Sequence, residues 1–234
     1  MVRVRGMAGA LAAPNRESKP PGYRRGAVAF VKTLGRSLTE AGRSWADVES
    51  CLEVGCGYGR IVRELCRELP ANRIAVCDVI DEGARFTAAE FGVRHVPPVE
   101  EMGPEHDGAY DFIYLLSVYT HLNRAMIEAN LGRIARLLRP GGTLVFTTHG
   151  KQSAATAEQY NQYWLDKAKL NAELDRDGFF YQRYPYYYAE YGLTWITTPE
   201  VKRIAAACAP ELSFVAHHPL AVDAHQDVFV YRRR

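Results

Sequence analysis

The sequence lacks any apolar run that could cross a membrane. Its longest hydrophobic stretch, around residues 112–118, has the length of a strand, whereas a spanning helix needs about 20 apolar residues. The apolar part of the first 22 residues is short and runs into a proline-rich segment, so we expect residues 1–22 to be a flexible leader rather than a signal peptide. We therefore predict that the membrane is not a partner.

Paired metal-binding and redox motifs are also missing. The five cysteines include no Cys-x-x-Cys pair, and the seven histidines include no His-x-x-x-His pair. We therefore predict no metal and a reduced, cytoplasmic setting. The 29 Lys and Arg residues are scattered along the chain and nearly balanced by 27 Asp and Glu residues. Without a basic stripe, nucleic acid is not a predicted partner.

What the sequence does contain is typical of one globular α/β domain. Its 234 residues, 47% hydrophobic and 24% charged, are enough for a full core, and we assign residues 23–234 to a single domain. Hydrophobic periodicity alternates between strand and helix from residue 26 to residue 148. Such alternation predicts a Rossmann-like, doubly wound and mostly parallel sheet, for which we expect seven strands.

The predicted elements set the boundaries of this sheet. Strands are expected from residue 51 and at 73–78, 92–96, 110–117, 143–148, 212–217 and 227–231. Helices are expected at 26–41, 60–69, 81–91, 123–138 and 199–208, the last capped by Thr198, with a turn at 140–142. Residues 150–193 form an aromatic-rich insert after strand 5, where eight of the 14 tyrosines lie between 160 and 191.

A glycine-rich loop directly follows the first strand. Gly55, Gly57 and Gly59 allow positive φ and a close approach of the backbone to a ligand. A dinucleotide fingerprint would require a third glycine or alanine where this chain has Arg60, and an acidic residue, Glu53, precedes the loop. An NAD-dependent oxidoreductase is therefore a weaker alternative.

The ends of the other strands supply the remaining polar groups. Asp78 ends strand 2 and lies 78 − 59 = 19 positions after Gly59, a spacing at which a carboxylate reaches a ribose hydroxyl. In an open α/β sheet, ligands bind at the carboxyl ends of the strands, near the switch in strand order. We expect these residues to converge there.

In this order and spacing, the motifs resemble those of class I S-adenosylmethionine (SAM)-dependent methyltransferases. The likeness covers Glu53-x-Gly55-x-Gly57-x-Gly59, Asp78, strand 4 with the residues after it, and the Leu-Arg-Pro-Gly-Gly-Thr-Leu-Val segment at 138–145. Residues 117–122 and 226–228 are similar to a subgroup often found with O-methylation of glycans or natural products. The resemblance implies SAM as cofactor.

By the same resemblance, the three glycines would contact the methionine part of SAM, Asp78 the ribose, and Glu100 or Glu101 the adenine edge. Ser117 would line the methionine channel, and Tyr23 and Arg25 would close over the cofactor carboxylate. The full set of predicted cofactor residues is Tyr23, Arg25, Glu53, Gly55, Gly57, Gly59, Asp78, Val79, Glu100 and Ser117.

Methyl transfer to a hydroxyl is assisted by a base, and histidine has a suitable pKa. His149, directly after strand 5, is the first catalytic candidate, and His121, after strand 4, is the second. The predicted acceptor contacts are Tyr184, Tyr187, Tyr188, Trp195 and His225. An equal alternative for the tyrosine cluster is to anchor the insert or to form a homodimer contact.

We therefore expect an enzyme that transfers a methyl group from SAM to a hydroxyl of a small molecule, either a sugar or glycan or a secondary metabolite of natural product biosynthesis. An N-methyltransferase acting on an amine or peptide is the main alternative. A SAM-fold protein without catalytic turnover is a third interpretation.

Overall fold

A seven-stranded sheet forms the centre of the molecule. The computed structural model describes residues 21–155, 165–185 and 190–234. The strands are β1 (Cys51–Val54), β2 (Ile74–Cys77), β3 (Arg94–His95), β4 (Tyr110–Leu115), β5 (Leu138–Thr148), β6 (Phe179–Arg183), β7 (Gly192–Ile196), β8 (Leu212–Val222) and β9 (Gln226–Arg233). Strands β6 and β7 make a separate antiparallel hairpin, and the other seven form the main sheet.

The order of strands in the main sheet is β3-β2-β1-β4-β5-β9-β8. The first five are parallel, while β9 pairs antiparallel with both β5 and β8. The predicted doubly wound and mostly parallel sheet of seven strands is confirmed. Because the order reverses between β1 and β4, their carboxyl ends define the crevice where a ligand is expected.

Helices cover both faces of the sheet. They are α1 (Pro21–Glu40), α2 (Val62–Leu65), α3 (Asp81–Phe91), α4 (Arg124–Leu137), α5 (Lys151–Ala155), α6 (Lys167–Asp177) and α7 (Thr198–Cys208). None of these helices is both long enough and apolar enough to cross a membrane. Two apolar layers, one on each face of the sheet, make up most of the core.

Three local predictions need correction. Regular α-helix after the glycine loop is limited to α2, because the following backbone bonds mix three-residue and four-residue spacing. The turn predicted at 140–142 lies inside β5 as a bulge, where pairing shifts from Tyr110 opposite Leu138 to Phe112 opposite Thr143. The cap of α7 is Thr197, and Thr198 is already helical.

Elements α5, α6, β6 and β7 follow β5 and are called the insert below; β7 ends at Ile196, beyond the predicted bound at 193, and the insert has a small core of its own. Leu170 and Leu174 of α6 pack with Phe180 of β6 and Trp195 of β7. The hairpin is joined to the main sheet by backbone hydrogen bonds from β7, in which Gly192 and Thr194 donate to the loop after β4 and Ile196 donates to His149. The insert is thereby fixed across the carboxyl ends of β4 and β5.

Asp111 joins several segments at the opposite, amino-terminal edge of the sheet. Its buried carboxylate lies 3.0 Å from guanidinium nitrogens of both Arg43 and Arg139. It also accepts hydrogen bonds from the backbone N–H groups of Glu49 and Ser50, at 2.9 and 3.1 Å. One carboxylate therefore connects the loop after α1, the approach to β1, β4 and β5.

We predict that Asp111→Ala lowers the free energy of unfolding by about 3–5 kcal/mol, because the change leaves the largely buried guanidinium of Arg43 without its carboxylate partner and two N–H groups without their acceptor. Chemical denaturation would measure the change. Arg139→Ala is the matched control, since this side chain is 38% exposed, and we expect it to cost about 1 kcal/mol or less. Equal losses in the two variants would contradict this account.

Candidate active site

The glycine loop is held open by contacts to β2 and α3. The N–H groups of Gly55 and Cys56 both donate to the carbonyl of Cys77, at 2.9 and 3.2 Å. The hydroxyl of Thr87 on α3 donates to the carbonyl of Gly57 at 3.0 Å. All three glycines have positive φ, between 49° and 80°. The loop is therefore preorganised in a conformation that L side chains rarely adopt.

Steric surroundings differ sharply among the three glycines. A Cβ on Gly55 would lie 2.6 Å from the side chain of Val118, and a Cβ on Gly59 would lie 2.4 Å from the ring of Phe91. A Cβ on Gly57 would meet no heavy atom within 4 Å. Packing therefore requires the outer two glycines, while the middle one borders the open space that a ligand would occupy.

Asp78 lies at the end of β2 and is bonded to the same loop. One carboxylate oxygen accepts from the N–H of Gly57 at 2.8 Å, and the other accepts from the N–H of Ile80 at 2.8 Å. The predicted convergence of Asp78 with the glycines is thus present in the structure.

Beside Asp78 lies an exposed apolar surface. Val79 is 79% exposed and Ile80 is 54% exposed, both high values for large aliphatic side chains. The open side of Gly57, a carboxylate and an apolar surface are adjacent here. These groups fit a ligand that carries a diol and a flat apolar ring.

Glu53 lies beneath the loop rather than on its exposed surface. Its side chain is 2% exposed and accepts a hydrogen bond of 2.8 Å from the hydroxyl of Tyr114 on β4. Burial is the main cause that raises the pKa of Glu53 to about 8, with a smaller contribution from the charge of Asp78. The carboxyl is therefore mostly protonated at neutral pH.

The first turn of α1 approaches the loop from the other side. The guanidinium of Arg60 lies over the ring of Tyr23, 5.3 Å from its centroid. A Cβ on Gly26 would lie 3.3 Å from Oδ1 of Asp223, which places the β8–β9 turn at the same junction. Tyr23 thus lies beside Arg60 of the loop, whereas Arg25 is exposed.

Ser117 lies close to the loop, in the segment after β4. Its φ of 58° is in the left-handed region, which is unusual for a non-glycine residue. Its N–H donates to the hydroxyl of Thr147 at 2.9 Å, and its own hydroxyl accepts from the amide of Gln226 at 2.8 Å. The predicted channel residue is therefore held by β5 and β9.

The predicted adenine-side residue, Glu100, is exposed and bonded to α4. Its carboxylate accepts from the amide of Asn130 at 3.2 Å, and Asn130 in turn accepts from the hydroxyl of Tyr119 at 3.0 Å. Sequence reasoning did not find these partners.

Two histidines are oriented by carbonyls of alternate residues of β7. Nδ1 of His121 donates to the carbonyl of Gly192 at 2.9 Å, and Nδ1 of His149 donates to the carbonyl of Thr194 at 3.0 Å. A carbonyl can only accept, so Nδ1 carries the proton in each ring. In the neutral form, each Nε2 is therefore the acceptor.

Both imidazoles are kept neutral by burial. Burial is the main cause that lowers the pKa of His149 to about 3; the nearby His225 and His121 contribute in the same direction, while the hydrogen bond to Thr194 acts in the opposite one. The pKa of His121 is also lowered, again chiefly by burial. At pH 7 both rings are uncharged.

Two of the predicted residues, His225 and Tyr184, lie beside these imidazoles, together with Tyr191. The ring of His225, from the β8–β9 turn, lies 4.4 Å from that of His149. The hydroxyl of Tyr184 lies 3.3 Å from Nδ1 of His121, and Tyr191 stacks on the same ring at 4.8 Å. His121, His149, His225 and Tyr184 therefore form one cluster, contributed by four segments of the chain.

Trp195 requires a correction. Its side chain has no exposed surface, its indole N–H donates to the hydroxyl of Ser153 at 3.1 Å, and its ring packs against His149. Trp195 therefore supports His149 from the core and does not face an acceptor. Tyr187 and Tyr188 lie outside the described residues.

In residues 21–155, 165–185 and 190–234, no group of three or more His, Cys, Asp or Glu side chains is arranged to hold a metal ion. A cavity of about 510 Å³ lies away from the glycine loop and is lined by Arg124, Glu173, Arg176, Asp177, Phe179, Tyr181, Glu200 and Arg203. Its three arginines and three acids balance each other in charge.

Sequence reasoning missed several supporting residues. Gly83 on α3 is one, since a Cβ there would lie 2.9 Å from the carbonyl of Gly57. A glycine inside a helical pattern was the available signal for this close approach. The roles of Thr147, Thr194 and Gln226 had no local signal, because their partners are distant in sequence.

The chain belongs to the methyltransferase-domain family, whose model matches residues 21–186. Its fold is that of the class I SAM-dependent methyltransferases. A ubiquinone biosynthesis O-methyltransferase from Cronobacter sakazakii is 33% identical over 110 residues, which cover 42% of this chain and 41% of that protein. The match thus spans less than half of that relative.

Solved structures match over nearly the whole chain. Magnesium protoporphyrin IX methyltransferase from Synechocystis PCC 6803, with bound S-adenosylhomocysteine (SAH), has a TM-score of 0.62 and 13% identity, covering 97% of this chain and 92% of that one. The N-methyltransferase NodS from Bradyrhizobium japonicum WM9, also with SAH, has a TM-score of 0.58 and 15% identity, covering 97% and 96%. At these identities the likeness concerns the fold.

We predict that Gly57→Ala and Gly59→Ala have different consequences. Gly59→Ala should destabilise the fold by several kcal/mol, since its methyl group overlaps Phe91. Gly57→Ala should cost only about 1 kcal/mol for its positive φ but should weaken SAH binding at least tenfold. Thermal melting and calorimetric titration would separate the two effects. Wild-type affinity in Gly57→Ala would show that the ligand lies elsewhere.

Proposed function

We propose that this protein transfers a methyl group from SAM to a hydroxyl of a small-molecule acceptor. The observation that carries the proposal is that β7 orients two neutral imidazoles. Each Nδ1 donates to a carbonyl of β7, so each Nε2, which can accept a hydrogen bond, faces away from that carbonyl. When bound, SAM would supply an electrophilic methyl group, which the acceptor attacks in line with the breaking C–S bond, so that SAH is the leaving group.

The cofactor would be held by the glycine loop and its neighbours. Gly57 offers open backbone for close approach, the carboxylate of Asp78 can accept from ribose hydroxyls, and Val79 offers an apolar surface to the adenine. The SAH-bound neighbours support this assignment at the level of the fold.

The imidazole of His149 suits an alcohol acceptor. A hydroxyl can donate its hydrogen bond to Nε2, which aligns an oxygen lone pair with the methyl group. As the oxygen is alkylated, its O–H becomes strongly acidic, so even an imidazole of low pKa can take that proton. His149 would then position the acceptor and remove its proton in the same step.

The surroundings favour a hydroxyl over an amine. The rings in contact at the cluster are imidazole and phenol, whereas a buried ammonium needs a carboxylate partner. The two carboxylates near His225 have other contacts: Asp227 accepts from the Leu220 N–H and is bonded to His217, and Asp223 lies against Gly26 of α1. The name of the Cronobacter relative also supports O-methylation, but NodS is named an N-methyltransferase. The choice therefore rests on the site and not on the relatives.

Several finer predictions from the sequence stay predictions. They are the sugar, glycan or secondary-metabolite class of the acceptor, the role in natural product biosynthesis, the cytoplasmic setting and the homodimer contact. The insert is proposed to bind the acceptor because its hairpin supplies the carbonyls that orient both histidines.

We predict that Asp78→Ala weakens binding of SAH at least tenfold, because it removes both the proposed ribose acceptor and the anchor of the Gly57 N–H. Calorimetric titration would measure the affinity, with thermal melting to check the fold. Asp81→Ala is the control, since Asp81 begins α3 and pairs with Arg85 and His95 on the surface. Unchanged affinity in Asp78→Ala would remove this residue from the site.

For the acceptor, we predict transfer of labelled methyl from SAM to alcohols or phenols in preference to amines of the same skeleton. His149→Asn, which can retain the donor to Thr194 but has no group at Nε2, should lower kcat by about 10²–10⁴ with SAH affinity unchanged. His149→Gln adds an acceptor that cannot take a proton and should also be slow. Methylation of the amines alone would contradict the proposal, and full activity in both variants would exclude His149 from catalysis.

A further inference from the structure

Glu53 is a buried carboxyl group that the proposed methyl transfer does not use. It lies on β1, directly under the glycine loop, and its hydrogen bond in the structure comes from the hydroxyl of Tyr114 at 2.8 Å. Among the described residues, Glu53 forms no ion pair with a Lys, Arg or His side chain, so no cation in contact with it compensates its charge. A carboxylate this poorly compensated is costly to bury.

The charged groups around Glu53 do not remove that cost. Asp78, at the end of β2, disfavours the ionised form of Glu53, and Arg60, in the loop, favours it weakly. The other titratable neighbours of Glu53 are four thiols and one phenol. Their pKa values are all raised, so these groups are neutral at pH 7. They are Cys51 on β1, Cys56 in the loop, Cys66 after α2, Cys77 on β2 and Tyr114 on β4.

A ligand with positive charge would change this balance. SAM carries a sulfonium and an ammonium group, and Glu53 precedes the first glycine of the loop by only two residues. A cation held above the loop favours the ionised form of a carboxyl group below it. Binding of the cation and loss of the proton are then thermodynamically linked.

We propose that Glu53 is a neutral carboxylic acid in the cofactor-free protein and releases its proton as the cationic methyl donor binds. The O–H bond of the carboxyl group breaks, the proton passes to solvent, and the carboxylate formed compensates the charge of the ligand. Glu53 is thus a positioning residue that couples cofactor affinity to pH. This inference rests on SAM being the methyl donor.

The first half of the proposal can be tested without cofactor. A folded state that keeps a proton to about pH 8, when the unfolded chain loses it near pH 4.5, loses stability as the pH rises between these values. From pH 5 to pH 8, the denaturation midpoint should therefore fall further in the wild type than in Glu53→Gln. This variant keeps an acceptor for Tyr114 but cannot ionise. Equal changes in the two proteins would overturn the neutral form of Glu53.

The second half is tested by calorimetric titration of SAM at pH 7 in phosphate and in Tris, whose ionisation enthalpies differ. We expect release of close to one proton per SAM in the wild type and none attributable to this site in Glu53→Gln. The affinity of the wild type should also rise up to about tenfold per pH unit between pH 6 and pH 8. If SAM binds to both proteins with equal proton release, the coupling of Glu53 to cofactor binding is overturned, while the proposed binding of SAM stands.

Tyr114→Phe supplies an independent check. Loss of the hydroxyl removes a hydrogen bond that favours the ionised carboxylate, so the rise in SAM affinity should shift to higher pH. No shift in a folded Tyr114→Phe variant would contradict the assignment of the titrating group to Glu53. If neither SAM nor SAH binds the wild type at any pH, the proposed function fails, and the coupling fails with it.

Discussion

The part of the candidate site proposed to bind the cofactor depends on the hydrogen bond from the Gly57 N–H to the carboxylate of Asp78. This bond joins the middle of the glycine loop to the end of β2, so the two groups proposed to touch opposite parts of the ligand are placed relative to each other before any ligand arrives. The loop can hold this shape because its three glycines accept positive φ. Helix α3 completes the support by approaching the Gly57 carbonyl closely at Gly83.

The part of the site proposed to bind the acceptor is organised by hydrogen bonds of the β7 backbone. Strand β7 is part of the insert, yet its N–H groups bond to the segments that follow β4 and β5, and its carbonyls fix the two histidines. The insert also has its own apolar core, which includes Trp195 directly behind His149. The parts of the site thus come from two separately packed units joined by one strand.

How much could be predicted from the sequence depended on distance along the chain. The sheet, the loop and the location of Asp78 follow from local patterns: hydrophobic alternation, glycine spacing and strand ends. The partner of Glu53 is 61 positions away, and that of Ser117 is 109 positions away, so neither had a local signal. Trp195 was misplaced for a related reason, since an aromatic residue in an insert has the same local pattern whether it faces a ligand or the core.

The two imidazole anchors, Gly192 and Thr194, are two residues apart on one strand, and this spacing makes the histidines a matched pair. Successive carbonyls of a strand point to opposite sides, so a slip of β7 by one residue would remove both acceptors together and would turn the face of Trp195 away from His149. The protonated nitrogen of each ring is therefore determined by strand register. Chemistry at the candidate site is in this sense encoded in backbone alignment as much as in the choice of side chains.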